Sequence, residues 1–247
     1  MLLRRVIEHV KEQNWTAVAL DFVIVVVGVF IGIQVSNWND ARAEKAQEAA
    51  ILLQLESEFS EIREALLKQI QIRKVYVEDI ASLVAGLEGS GPMPDDLAIK
   101  KALIAVRSTG RRPAQSAAYL QLTANGELAR LSNEELKQAL IQYHARLERD
   151  AFIFPALMQL VIEERSLNKY VDFDINAAGP RGAAIDDETG GDESRINRIR
   201  TYDLEGLRAY EEQYETIHTT HANLVDTDQA QLEIVNEILN QITESDN

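Results

Sequence analysis

One segment limits what this chain can become more than any other. From Phe22 to Ile33 every residue is apolar or glycine, and the residues from Thr16 to Leu20 extend the run past Asp21. The whole segment, residues 15–38, reads WTAVALDFVIVVVGVFIGIQVSNW. An α-helix rises about 1.5 Å per residue, so about 20 such residues cross a hydrocarbon core of about 30 Å. Trp15 and Trp38, the only two tryptophans, bracket it as an aromatic belt does. The expectation is a transmembrane helix that anchors the chain in a lipid bilayer. A cleaved signal peptide is the rival, because Ala41-Arg42-Ala43 has the small residues of a cleavage site. The apolar run is long for that purpose, and Trp38, Asn39 and Asp40 crowd the site.

Orientation follows from the flanking charges. Arg4, Arg5 and Lys11 precede the span, against Arg42 and Lys45 soon after it. The bias places residues 1–14 in the cytoplasm and residues 39–247 outside, in the periplasm of a Gram-negative cell. Leu2, Leu3, Val6 and Val10 suit a short helix lying on the inner leaflet of the inner membrane.

Two features inside the span point to association. Gly28 and Gly32 form a G-x-x-x-G pair, which lets two helix backbones approach closely. Ala17, Asp21, Val25, Gly28, Gly32 and Ser36 follow at steps of three and four, so they share one face. Asp21 lies about 9 Å of helix past Trp15. An acid in hydrocarbon costs up to about 3 kcal/mol and less near the interface. It is protonated, paired with a neighbouring subunit, or hydrated at the headgroup boundary.

Beyond the span the pattern is helical throughout. Glycine (12) and proline (5) are scarce, so regular structure should run long between few breaks. No Pro or Gly follows Asn39 for many residues, and the membrane helix is expected to continue outward. Leu52, Leu55, Phe59, Ile62, Leu66, Ile70, Val77, Ile80, Val84 and Leu87 mark one buried stripe. Gly89, Gly91, Pro92 and Pro94 end it.

A second helical region starts near Asp96, breaks at residues 109–113 and stops at Asn125-Gly126. Ser132 with Glu135 predicts a capping box for a third, with Pro155 kinking or dividing it before about Tyr170. Residues 171–200 lack an apolar period and read as a loop with no strand. A final helix from near Asp203 carries Leu207, Tyr210, Tyr214, Ile217, His221, Leu224, Gln231, Val235, Ile238 and Ile242. The fold class is therefore all-α: a single membrane helix continuing into a bundle of about four long helices, up-down-up-down.

The span resembles the N-terminus of an uncharacterised bacterial family of single-span membrane proteins. The likeness rests on Asp21, the aliphatic run, Ile31-Gly32-Ile33-Gln34-Val35 and Asn37-Trp38-Asn39-Asp40-Ala41-Arg42. Tyr119, Leu122, Gly126 and Leu128, followed by Leu136, Leu140 and Tyr143, are similar to a second motif of that family. The chain departs from the pattern at Asp21, where the family has Glu, and at His144, where it has a second Tyr. The resemblance implies a membrane-anchored helical protein and carries no chemistry.

Little else points to a reaction. The chain has no cysteine, which excludes disulfides, thiolate catalysis and Cys-ligated metals. A formal charge of −15 argues against nucleic acid as a partner. Of His9, His144, His218 and His221, the last two are three apart on one helix, but no further ligands are identifiable, so no metal site is expected. Glu163-Glu164 and Glu211-Glu212 are adjacent and point to different helix faces. No nucleophile elbow or phosphate loop is present. The reading is of no enzyme, no catalytic residue and no cofactor.

Arg107, Arg111 and Arg112 form the one basic cluster, suited to an anion, a partner or the chain's own carboxylates. Three functions fit: a structural or accessory module that oligomerises or joins a larger membrane complex, a partner-dependent ligand sensor, and an ion-motive accessory subunit using Asp21.

Overall fold

The computed structural model describes residues 15–108, 114–163, 169–174, 196 and 198–245, with the side chains of residues 15–19, 21 and 152–163 left out. The described residues are mostly helical, and the chain divides into two units, residues 1–51 and 52–247.

Helix α1 runs Trp15–Glu88, 74 residues without a break. It ends where the sequence predicts, at Gly89, whose φ of 80° favours glycine, with the Gly91 amide donating to the Ala85 carbonyl at 3.0 Å. In the first unit α1 is the one helix among the described residues long and apolar enough to cross a membrane. Its large apolar side chains from Leu20 to Trp38 are 48–69% exposed, on every face of the helix.

The second unit takes its frame from α1 beyond Ile51. Leu52, Phe59, Leu66, Arg73, Ile80 and Leu87 are buried at intervals of seven. Leu55, Ile62, Tyr76 and Leu83 are buried three residues after members of that series, with the half-buried Gln69 in the same position. This is the heptad seam of a coiled-coil-like packing. The expected stripe is present, with Val77 only half-buried and Arg73, Tyr76 and Leu83 added.

Helix α2 (Asp96–Val106) starts at Asp95, whose carboxylate accepts from the Ala98 amide at 2.8 Å. Helix α3 (Ala117–Ala124) is capped by Ser116 and followed by a 3₁₀ turn at Glu127–Arg130. Gly126 between them has φ 70°, the left-handed conformation expected of this stop.

Helix α4 (Glu134–Glu163) passes through Pro155 without a break in helical assignment. Its cap differs from the expected Ser132 box: Asn133 Oδ1 accepts from the Leu136 amide at 2.9 Å, one residue later than the motif suggested. Asn133 Nδ2 also bonds Gln241 Oε1 at 3.0 Å and Ser245 Oγ at 2.9 Å on the last helix. The amide therefore serves both helices, its oxygen accepting on α4 and its nitrogen donating to α6.

The expected loop contains a small sheet. Strand β1 (Val171–Phe173) pairs antiparallel with β2 (Ile199–Tyr202), Val171 opposite Tyr202 and Asp172 opposite Thr201. This corrects the reading of residues 171–200 as loop alone. Three- and four-residue strands are too short to show an alternating pattern. Helix α5 (Leu204–Arg208) is capped by Asp203, and α6 (Glu211–Ser245) follows.

Among the described residues the long helices of the second unit are thus α1, α4 and α6, with α2 and α3 short. One core joins Tyr76–Leu87 of α1 to α2, the β ribbon, α5 and the start of α6. Elsewhere α1 meets α4 through Phe59 and Tyr143, whose rings lie edge to face at 5.2 Å. Gly206 of α5 is the tightest approach, because a Cβ there would overlap the Tyr170 ring.

Candidate interaction site

The predicted packing face lies on the first-unit part of α1. Val25, Gly28, Gly32 and Ser36 are exposed on the helix, and a Cβ added at either glycine meets nothing within 4 Å. The backbones of Trp15, Ala17 and Asp21 are helical, but their side chains lie outside the described residues. Trp38 is exposed, and the Arg42 guanidinium lies 6.0 Å from its ring centroid, one turn further on. Among the described residues, Val25, Gly28, Gly32 and Ser36 thus form an exposed face.

The basic cluster is only partly in view. The Arg107 guanidinium stacks over the Phe173 ring at 4.2 Å, joining the end of α2 to β1. Arg111 and Arg112 lie outside the described residues.

The histidines are core residues where they are described. His144 is buried and stacks on Tyr119 at 3.8 Å with 12° between the rings. Burial pulls its pKa down to about 4, against the opposing charge of Glu58. His221 is buried edge to face with Tyr76 at 5.7 Å, and burial, then Arg73, takes it to about 4 as well. Both imidazoles are neutral near pH 7. His218, its expected companion, is half-buried, and no group of three or more metal-ligating side chains occurs among the described residues. His9 lies outside them.

The second motif of the resemblance gathers in one place. Leu122, Leu136, Leu140 and Tyr143 are buried, while Tyr119 stacks on His144. The Tyr143 hydroxyl donates to the Ala114 carbonyl at 2.7 Å. Glu58 of α1 accepts from Ser116 Oγ at 2.8 Å and from the Ala118 amide at 3.1 Å, a carboxylate held at the positive end of α3. These residues tie α1, α3 and α4 together, which is a packing role.

The most consequential polar group was not singled out from the sequence. Asp228 of α6 accepts from Arg73 Nε at 2.7 Å and from Gln69 Nε2 at 2.9 Å through one oxygen, Oδ2. The Arg73 and Asp228 side chains are only 2% and 3% exposed. Burial pushes the Asp228 carboxyl above the usual range, opposed by the charge of Arg73 and the bonds from Gln69 and Arg73, and Asp150 of α4 adds to the upward push. Arg73 Nη1 has no hydrogen-bond partner among the described residues. One signal was legible in advance: Arg73 stands seven residues after Leu66 and seven before Ile80, where the seam demands an apolar residue.

Compared with known proteins, the chain matches no family model, no curated protein and no solved structure, so the motif resemblance rests on its residues alone.

Proposed function

We propose that this protein is a membrane-anchored structural or accessory module. Residues 15–38 cross the inner membrane, residues 1–14 stay in the cytoplasm, and the helical second unit presents a contact surface in the periplasm. One observation carries the reading: the continuous, all-round apolar exposure of α1 from Leu20 to Trp38. Soluble monomers rarely expose apolar patches beyond a few hundred Å². A helix that is apolar on every face is at equilibrium in hydrocarbon. The face through Val25, Gly28, Gly32 and Ser36 is the surface on which a second copy, or a larger membrane complex, would pack.

Topology tests this directly, and the absence of cysteine makes labelling clean. Ser90→Cys is expected to react with an impermeant maleimide in intact spheroplasts, and Leu3→Cys only after lysis. Recovery of the full-length chain in a membrane-free supernatant would overturn the anchor. Reversed labelling would overturn the orientation.

A further inference from the structure

We propose that Gln69, Arg73 and Asp228 form a register lock, a polar layer that favours one alignment of α6 along α1 and acts alongside the bonds of Asn133 to the end of α6. Helix α6 buries Tyr214, His221, Asp228, Val235 and Ile242 at intervals of seven. Its period thus matches that of Leu52, Phe59, Leu66, Arg73, Ile80 and Leu87 on α1. The helices run antiparallel, since Tyr76 meets His221 while Gln69 and Arg73 meet Asp228.

Two seams of equal period can slide by one heptad and still set apolar side chains against apolar side chains. Aliphatic packing therefore discriminates poorly between alignments. The polar layer does discriminate. Slid by seven residues one way, Asp228 faces Leu66 and Arg73 faces His221. Slid the other way, Asp228 faces Ile80 and Arg73 faces Val235. Either slip leaves a buried carboxylate without a donor and a buried guanidinium without its counter-charge, and unpaired buried charges are among the least tolerated states in a protein.

The geometry suits this role. Gln69 and Arg73 are one turn apart on α1, and both donate to the same oxygen of a residue 159 and 155 positions away. Such a convergent pair of bonds is lost as a unit when the helices shift. The layer also occupies seam positions where an aliphatic side chain would bury more apolar surface, so its presence favours specificity over raw stability.

The test reads alignment rather than stability. Nitroxide labels at Lys74→Cys and Asp226→Cys, both exposed positions, report the axial offset of α6 on α1 in the full chain held in nanodiscs. With the native layer, one narrow distance is expected. Replacing the layer by Gln69→Leu, Arg73→Met and Asp228→Leu is expected to keep the helices folded and to add a second population, offset by about 10 Å, the length of seven helical residues. A single distance as narrow as that of the native layer would overturn the lock. Should that variant not fold, a chain with Arg73→Leu and Ile80→Arg decides. Its distance is expected to shift as Asp228 follows the moved arginine, and an unshifted native distance overturns the proposal.

Discussion

The two parts of helix α1 follow opposite rules under one backbone. From Leu20 to Trp38 the apolar residues cover the whole circumference, and every described side chain in that stretch is exposed. After Ile51 most apolar residues retreat to a single seam, and the rest of the surface is largely polar, with Leu53 and Leu67 exposed on it. Both stretches are helical, although the first is rich in β-branched residues and glycine. What differs is the surface, apolar on all sides in one and divided between a buried seam and an exposed polar face in the other. The arrangement of apolar residues around the helix therefore says what each length was selected to touch.

Acid should separate the two parts most strongly. His144 and His221 have pKa values of about 4 when folded, against about 6.5 when unfolded. Between those values the unfolded chain binds more protons, so stability is full above about pH 6.5 and is lost as pH falls toward 4. Each group contributes on the order of 3 kcal/mol at the acid end. Thermal melts of the second unit across that range should show the loss, and His144→Tyr, the residue of the resembling family, should remove one share of it. A slope unchanged by the substitution would show that His144 does not carry it.

Charge placed on α1 should come next. Val26→Arg, in the middle of the apolar run, should disfavour insertion by about 3 kcal/mol and deplete the membrane fraction. Leu67→Arg, on the exposed face of the second part, should change neither membrane recovery nor the melt by more than about 0.5 kcal/mol. Equal effects of the two would erase the comparison.

The smallest expected effect concerns association. A Cβ at Gly28 or Gly32 meets no atom within 4 Å among the described residues, so a loss of self-association on Gly28→Leu with Gly32→Leu reports a neighbour. The expected loss is on the order of 1 kcal/mol, read as a shift in the monomer–oligomer ratio in mild detergent. An unchanged ratio would assign this face to lipid.

The breaks were legible where a residue type forces the backbone. Gly89 and Gly126 stop helices because a left-handed φ disfavours most side chains, and both stops sit where the sequence puts them. The cap of α4 was misplaced by one residue because Ser132 fits a local motif, whereas Asn133 is chosen by its contact with α6, more than a hundred residues away. The β ribbon was invisible because three residues cannot display a period of two. Arg73 was overlooked because the seam was traced through apolar residues alone, and its partner Asp228 lies far along the chain. Distance in sequence separates what was read from what was missed.

That distance has a further consequence, in time rather than in space. Arg73 and Asp228 are 155 residues apart, so the seam of α1 is synthesised long before α6 exists to cover it. At about 5–20 residues per second the wait is on the order of ten seconds or more. A nascent helix with an unbroken aliphatic stripe would spend that interval as a template for aggregation. Arg73 and Gln69 place a charge and an amide in that stripe, beside the apolar Ile70. The layer buried in the finished bundle thus leaves a charge and an amide in the uncovered seam while α6 is still being made.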